Sequence, residues 1–232
     1  IGVGIHDSSS ALLPYVRSLK KKFLLISTGT WSISFNPFIE KSISDDLYDS
    51  ASINYMRING KVVKASRLFL GYEYKLQVEK LNKNFDVSND YHKSVTFNHE
   101  IYHKINDDFK YHFKWESLED GHMPNQSNLD FDDYDHAYHQ LMAELVLLQV
   151  KSVEKAIGDD KTDRLYIDGG FSDNDLYVKL LTYHFPEKKV RTTDASLGSA
   201  LGAAIVISDT KLNSKFLKEN YALKKHAPLI LN

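Results

Sequence analysis

The segment 165–174, Leu-Tyr-Ile-Asp-Gly-Gly-Phe-Ser-Asp-Asn, limits what this chain can fold into more than any other stretch. An apolar run typical of a buried strand reaches Asp168 and stops at Gly169 and Gly170, before a helical pattern begins at Leu176. Glycine has no Cβ, so a bound group can approach this backbone closely, and the free N–H groups at a helix start favour polar or anionic partners. The pattern predicts a strand-turn-helix unit with a ligand-binding turn. A tight turn without a ligand is the alternative.

The glycines of the chain are concentrated in a few short segments. Of 11 glycines in 232 residues, six fall in four segments that resemble turns or close-packed helices: Gly29, Gly71, Gly169, Gly170, Gly198 and Gly202. This placement favours close approach of the backbone to a ligand or to a neighbouring element.

The bulk composition is that of a soluble globular protein with one large domain or two small ones. Hydrophobic residues make up 42% of the chain and charged residues 26%. The formal net charge is −2, so no net field attracts nucleic acid or an anionic membrane. No apolar run approaches the ~18 residues of a membrane span, and no basic leader is present. We therefore expect a cytoplasmic protein that binds neither nucleic acid nor membranes. The absence of cysteine excludes disulfides, thiolate zinc sites and a cysteine nucleophile.

Asp7 is the first candidate for chemistry. It follows a strand-like run, residues 1–5, and precedes three serines and a helical pattern that begins at Ala11. A carboxylate at the end of a strand lies where ligands of α/β proteins bind, so Asp7 could be a general base. The alternative, which these residues alone favour, is that Asp7 caps the following helix.

A polar turn at Thr28, Gly29 and Thr30 joins two strand-like runs, 23–27 and 31–35. Such a hairpin tip offers backbone and hydroxyl donors suited to phosphate oxygens, although a simple polar hairpin is the alternative. A second hairpin is predicted around the Asn-Gly pair at 59–60. It is followed by a helix that Ser66 caps and that carries Gly71 in its interior. A glycine there costs about 1 kcal/mol relative to alanine, so Gly71 indicates close approach of another group.

The rest of the chain is expected to form scaffold. Residues 84–132 predict an irregular insertion of short elements and loops, and the histidines there lack metal-ligand spacing, so we predict no metal site. A long helix should begin at Asp132 or Asp133 and end near Gly158. A short strand at 188–192 should precede a helix rich in small residues at 194–207, and 208–232 should be a helical tail.

Five motifs in order resemble those of the C-terminal domain of FGGY carbohydrate kinases. They are His6-Asp-Ser-Ser-Ser-Ala, Ser27-Thr-Gly-Thr-Trp-Ser, Leu70-Gly, Asp168-Gly-Gly-Phe-Ser-Asp-Asn and Ala195-Ser-Leu-Gly-Ser-Ala-Leu-Gly-Ala-Ala. Each motif alone is weak, but their order and spacing match along nearly the whole chain. The hairpin tip and the His-Asp pair are most similar to those of rhamnulokinases and L-fuculokinases.

The resemblance implies a single α/β domain over residues 1–232, with an actin-like, ribonuclease H-like fold and a mixed sheet flanked by helices. It implies ATP and Mg²⁺ as cofactors and a ketose such as L-rhamnulose or L-fuculose as the acceptor. Members of the family carry an N-terminal sugar-binding domain, and nothing in this chain matches it. The missing domain is therefore an expected partner, and the isolated chain is expected to be inactive as a kinase. No pattern predicts an oligomeric state.

The resemblance also implies roles for individual residues. Asp7 would take the proton from the sugar hydroxyl, and the tip residues would contact phosphate. The residues implied to contact phosphate or enclose adenosine are Thr28, Gly29, Thr30, Gly71, Gly169, Gly170, Phe171 and Asn174. A rival reading keeps the fold but makes the chain a non-catalytic, nucleotide-sensing or interaction domain. Retention of Asp7 together with the tip and the two glycines favours the kinase.

Overall fold

The chain folds around a mixed seven-stranded sheet with helices on both faces. The structure is a computed structural model that describes residues 6–39, 52–56, 60–117, 124–158, 161–194, 198–208 and 212–231. The strands are β1 (Leu24–Thr28), β2 (Ser32–Asn36), β3 (Ser52–Met56), β4 (Val62–Leu68), β5 (Arg164–Gly169), β6 (Lys189–Thr193) and β7 (Lys224–Lys225). The helices are α1 (Asp7–Ser18), α2 (Leu70–Asn84), α3 (His99–Asp107), α4 (Tyr134–Ile157), α5 (Asp175–His184), α6 (Gly198–Ile207) and α7 (Phe216–Asn220).

The strand order, β3-β4-β2-β1-β5-β6-β7, puts the two glycine-bearing turns side by side. β1 pairs antiparallel with β2 and parallel with β5, and β5 pairs parallel with β6. Parallel strands end at the same edge of a sheet, so Thr28 at the end of β1 lies opposite Gly169 at the end of β5. This mixed sheet between helices confirms the predicted fold class.

The central strands are apolar along their whole length because both faces of the sheet are covered. In β1, Leu24 and Ile26 belong to the core beneath α2, α4 and α5, whereas Leu25 belongs to the core beneath α1 and α7. α6 packs on α1 so closely that a Cβ on Gly202 would lie 1.9 Å from the Ser10 carbonyl oxygen. The small residues of α6 therefore permit helix contact, as the sequence predicts.

The predicted long helix is confirmed, whereas the start of α1, the position of Ser66 and the structure of the tail differ from the prediction. α4 is capped by Asp133 and ends at Gly158, which has φ +57°. α1 begins at Asp7 rather than Ala11. Ser66 is not a helix cap: it lies inside β4, where it pairs with Ser34 of β2. The predicted helical tail is also wrong, since in its described part it contains only the five-residue α7 and the short strand β7. The predicted strand 1–5 and the Asn59 side of the second hairpin turn lie outside the described residues.

The segment between α2 and α4 is irregular but well attached to the core. It contains a 3₁₀ turn at Tyr91–Ser94, α3, and an extended stretch in which Phe113 and Trp115 are buried. The buried carboxylate of Glu144 accepts hydrogen bonds from the His112 N–H (2.6 Å), the Phe113 N–H (3.2 Å) and the Trp115 indole N–H (3.1 Å). Burial raises the pKa of Glu144 to about 7, and these hydrogen bonds offset part of that rise.

Among the described helices, none is both long enough and apolar enough to span a membrane.

Candidate functional site

The β1–β2 hairpin tip stands at the carboxyl edge of the sheet. Its turn is closed by a 2.8 Å hydrogen bond from the Gly29 N–H to the Trp31 carbonyl. The Thr30 side chain is exposed, and no hydrogen bond from its hydroxyl is found in the described part of the chain. Thr30 is therefore the tip residue whose side chain is available to a ligand.

Thr28 connects the tip to the turn after β5. Its hydroxyl donates to the Asp168 carbonyl (2.6 Å) and accepts from the Phe171 N–H (3.1 Å), and its carbonyl accepts from the Gly170 N–H (3.1 Å). Gly169 has φ +88°, and a Cβ there would lie 1.9 Å from the Thr28 carbonyl oxygen. The Thr28 hydroxyl thus positions the glycine turn, and its predicted phosphate contact stays a prediction.

Gly71 packs directly against the tip. It lies in the first turn of α2, not in the interior of a helix capped by Ser66, because β4 continues to Leu68. A Cβ on Gly71 would lie 2.0 Å from the Gly29 carbonyl oxygen. The Thr30 carbonyl accepts from the N–H groups of Gly71 (3.1 Å) and Tyr72 (3.2 Å). The group that approaches Gly71 closely is therefore the hairpin tip, and an adenosine contact for Gly71 stays a prediction.

Gly170 differs from Gly71 and Gly169 because space beside it is open. A Cβ built on Gly170 meets no atom within 4 Å. Packing therefore does not require glycine at this position, and the open space next to the backbone suits a ligand.

Asn174 caps α5 and supports a pair of tyrosines. Its side-chain carbonyl accepts from the Tyr177 N–H (3.0 Å), and its amide donates to the Tyr138 hydroxyl (3.0 Å). The Tyr138 hydroxyl lies 2.7 Å from that of Tyr74. Asn174 is thus a helix cap that also orders one wall of a cleft, and its implied adenosine contact stays a prediction.

The larger of two clefts at this edge has a volume of about 800 Å³. It brings together six of the predicted residues, namely Gly29, Thr30, Gly71, Gly170, Phe171 and Asn174. Its remaining wall includes Tyr74 and Tyr138, and His92, Lys93, Val95 and Thr96 from the irregular segment. These last four residues were not predicted as part of a site, because isolated residues in an irregular segment carry no periodic or spacing signal.

The smaller cleft, about 450 Å³, contains Asp7. We call it the Asp7 cleft. Its other lining residues are His6, Ser8, the tip segment 27–31, Ile33, Tyr55, Arg67 and Ser199. The Asp7 carboxylate accepts from the Ser8 N–H (2.6 Å) and lies 2.8 Å from His6 Nδ1, with 74% of the side chain exposed. The capping position itself is held by His6, so Asp7 supports the helix start and is also open to a ligand.

The hairpin tip separates the two clefts, since Gly29 and Thr30 line both. A group bound at the tip would therefore reach the Asp7 carboxylate on one side and the open backbone of Gly170 on the other. Such an arrangement suits the transfer of a group between two bound molecules, because it places both beside one set of donors.

Asp168 is buried beneath the glycine turn and lines neither cleft. Burial raises its pKa to about 6, and hydrogen bonds from the Gly169 N–H and from Tyr15 and Thr193 offset part of that rise. Asp168 lies at the end of β5, and its carboxylate joins the Gly169 N–H to Tyr15 of α1 and Thr193 of β6, so it is a structural support of the turn.

Fold and site together define an α/β domain of the actin-like ATPase fold with paired clefts at the carboxyl edge of its sheet. Residues 20–215 match the family model described as "Carbohydrate kinase FGGY, C-terminal domain". The chain therefore belongs to the FGGY carbohydrate kinase family, as a C-terminal domain. Asp7 precedes the matched range.

Solved structures share the fold at low sequence identity. A carbohydrate kinase from Novosphingobium aromaticivorans matches with a TM-score of 0.69 and 19% identity, covering 98% of this chain and 47% of that one. Xylulose kinase from Rhodospirillum rubrum matches with a TM-score of 0.69 and 14% identity, over 97% and 46%. Plasmodium falciparum glycerol kinase with ADP matches with a TM-score of 0.56 and 17% identity, over 87% and 41%. The chain thus spans about half the length of these kinases. No curated protein gives a significant match.

Proposed function

We propose that this chain is the ATP-binding half of a two-domain sugar kinase that transfers the γ-phosphoryl group of ATP to a sugar hydroxyl. The observation that carries the proposal is the hairpin tip shared by two clefts, with Asp7 in one and the open Gly170 backbone in the other. Membership of a carbohydrate kinase family and the ADP in the Plasmodium falciparum glycerol kinase structure support it.

The larger cleft would hold the nucleoside. Its volume lies within the range of about 300–1,000 Å³ that ligand sites occupy. Phe171 and Tyr74 offer apolar surface, while Gly170 leaves room for close approach to the backbone. The phosphates would then extend past Gly29 and Thr30 into the Asp7 cleft.

Asp7 would act as the general base. It accepts the proton of the acceptor hydroxyl while the acceptor oxygen forms a bond to the γ-phosphorus. The bond from that phosphorus to the bridging oxygen breaks, and its electron pair leaves with ADP. The proton on Asp7 is then released to water. The exposure of Asp7 in this half fits a cleft whose second wall comes from another domain.

The described residues suit Mg²⁺ only as an ion carried by the nucleotide. They contain no group of three or more His, Cys, Asp or Glu side chains that could hold a metal. Mg²⁺ commonly keeps several waters and binds through substrate phosphates with one or two carboxylates. When bound in this way it would share the phosphate charge, and we assign it no ligand from this chain.

The acceptor is proposed to be a ketose such as L-rhamnulose or L-fuculose. The residues that support this choice are His6, Asp7 and the tip sequence Ser27-Thr-Gly-Thr-Trp-Ser32. The N-terminal domain of the same kinase is the proposed partner, because the solved relatives are about twice as long as this chain.

The test is an acceptor panel with the two-domain protein that contains this chain. L-rhamnulose, L-fuculose and D-xylulose are supplied with MgATP, and ADP release is measured with each sugar and without sugar. We expect sugar-dependent ADP release, with the highest kcat/KM for one of the first two ketoses. Tight ATP binding without any sugar-dependent release would instead support the non-catalytic, nucleotide-sensing reading.

A further inference from the structure

Arg67 brings a positive charge to the Asp7 cleft. It is exposed near the end of β4, where its backbone pairs with Ile33 of β2. Among the described residues that line this cleft, Arg67 is the only arginine or lysine. The cleft also holds Asp7 and the tip, so a guanidinium lies on the wall that a transferred group would face.

The Arg67 guanidinium lies against the end of a stack of three aromatic side chains. Its Cζ lies 5.5 Å from the centroid of the Trp31 ring, within cation–π range. Trp31 stacks on Phe69 at 4.4 Å, and Phe69 stacks on Tyr72 at 4.5 Å. A planar guanidinium suits both aromatic contact and bidentate binding of phosphate oxygens. The stack therefore holds the Arg67 guanidinium close to the tip.

The charge of Arg67 acts inside this cleft together with that of Asp7. Tyr55 lines the same cleft, and burial is the largest cause of its raised pKa. The positive charge of Arg67 lowers the pKa of Tyr55, whereas the negative charge of Asp7 raises it. Arg67 and Asp7 are thus close enough for their opposite charges to act on one side chain.

We propose that Arg67 is a catalytic residue that binds the non-bridging oxygens of the phosphoryl group in transit, and that Trp31 positions it. This proposal rests on the proposed kinase function. The Asp7 carboxylate and the transferred phosphoryl group are both negative and must meet at the tip, and a guanidinium beside them offsets their repulsion. Arg67 neither gains nor loses a proton: the phosphorus exchanges its bond to the ADP oxygen for a bond to the acceptor oxygen.

The same guanidinium could bind a carboxylate of an acidic sugar, since both ligands present anionic oxygens. These two ligands, the phosphoryl group and the sugar carboxylate, predict different effects on different acceptors. A phosphoryl contact affects transfer to every acceptor, whereas a carboxylate contact affects only acidic acceptors. The assay therefore compares the preferred ketose with an aldonic acid such as gluconate.

The experiment uses the two-domain protein with Arg67→Gln, Arg67→Lys and Trp31→Leu. Arg17→Gln is the matched control, because Arg17 is exposed on α1 and lines neither cleft. Two readouts are taken: kcat with ketose, and the affinity for ADP with and without aluminium fluoride, which mimics the group in transit. We expect Arg67→Gln to lower kcat by roughly 10²- to 10³-fold, the usual effect of losing one donor to developing charge. Affinity for ADP alone should change by less than about threefold, since Arg67 contacts only the transferred group.

The variants should fall in a definite order. Arg67→Lys keeps the charge without the planar fork, so we expect a loss of about tenfold. Trp31→Leu removes the cation–π contact that positions the guanidinium, so it should lower kcat by about tenfold with an unchanged KM for ketose. The gain in ADP affinity given by aluminium fluoride should disappear in Arg67→Gln and persist in Arg17→Gln.

A kcat for Arg67→Gln within threefold of the parent, with the full aluminium fluoride gain, would overturn the proposal. So would a loss confined to the KM of the aldonic acid, or an equal loss in Arg17→Gln. If Arg67→Gln fails to fold, an unchanged kcat in Arg67→Lys is the contradicting result. If the parent phosphorylates no sugar but its aluminium fluoride gain still requires Arg67, the kinase function fails and the assignment of Arg67 stands.

Discussion

Gly170 offers a perturbation that separates ligand binding from folding. A Cβ on Gly170 meets no atom within 4 Å, whereas a Cβ on Gly71 would lie 2.0 Å from the Gly29 carbonyl oxygen. We therefore predict opposite outcomes for Gly170→Leu and Gly71→Ala. The first should fill space that the nucleotide needs and leave the fold intact. The second should force apart the tip and α2 in the free protein.

The magnitudes follow from these contacts. Overfilling a packed site costs typically 1–3 kcal/mol, so Gly170→Leu should weaken ATP binding by about 5- to 150-fold. Its free energy of unfolding should change by no more than about 0.5 kcal/mol, as for other substitutions into open space. Gly71→Ala should lower the free energy of unfolding by about 3 kcal/mol. For unfolding of this 232-residue domain within the two-domain protein, that loss lowers the thermal midpoint by roughly 6–12 °C.

The assay measures the ATP dissociation constant by calorimetry and the thermal midpoint for Gly170→Ala, Gly170→Val, Gly170→Leu and Gly71→Ala in the two-domain protein. Across the Gly170 series, affinity should fall as side-chain volume rises while the midpoint stays constant. Parental ATP affinity in Gly170→Leu would refute the reasoning, because the space beside Gly170 would then not be nucleotide space.

Two further predictions concern the supports of the site. Thr28→Val removes the hydroxyl that donates to the Asp168 carbonyl and accepts from the Phe171 N–H, so it should lower the free energy of unfolding by about 1–3 kcal/mol and weaken ATP binding. Thr28→Ser keeps a hydroxyl and should stay closer to the parent. A thermal midpoint and an ATP affinity of Thr28→Val equal to those of the parent would contradict this. Because burial raises the pKa of Glu144 from 4.5 to about 7, the folded state keeps a proton that the unfolded state releases, and stability is lost as the pH rises through this window. Urea unfolding of the parent should give a free energy of unfolding that is about 2–3 kcal/mol lower at pH 8 than at pH 5 because of Glu144, and Glu144→Gln should lack this difference. The same pH dependence in the parent and in Glu144→Gln would disprove the assignment.

Local sequence pattern was sufficient to predict those parts of the fold in which all the signals lie within one helix, or within one strand and the turn and helix that follow it. The apolar stripe of α4 between Asp133 and Gly158, and the strand-turn-helix around Gly169, were predictable because period, cap and turn residues agree. Those elements also carry Gly170, Phe171 and Asn174 into one cleft. Their predicted roles as ligand contacts stay predictions.

Features decided by tertiary contact were not predictable. Ser66 precedes an apolar helical pattern and so resembles a cap, but pairing with β2 extends β4 past it to Leu68. The spacing of apolar residues in the tail is helical, but its described part is held in place by burial of Leu217 and Tyr221 against the α1 side of the sheet. Local helix propensity does not reveal such tertiary contacts. Arg67 reaches the Asp7 cleft only because β4 lies beside β2.

The most direct test of the central claim is kcat for Asp7→Asn in the two-domain protein with its ketose and MgATP. Asparagine keeps the shape of the side chain and supports a helix start about as well as aspartate, so thermal midpoint and ATP affinity should stay near the parent. It cannot accept the acceptor proton, and kcat should fall by roughly 10²-fold or more. An unchanged kcat would make Asp7 a structural residue of α1 and contradict the proposed mechanism.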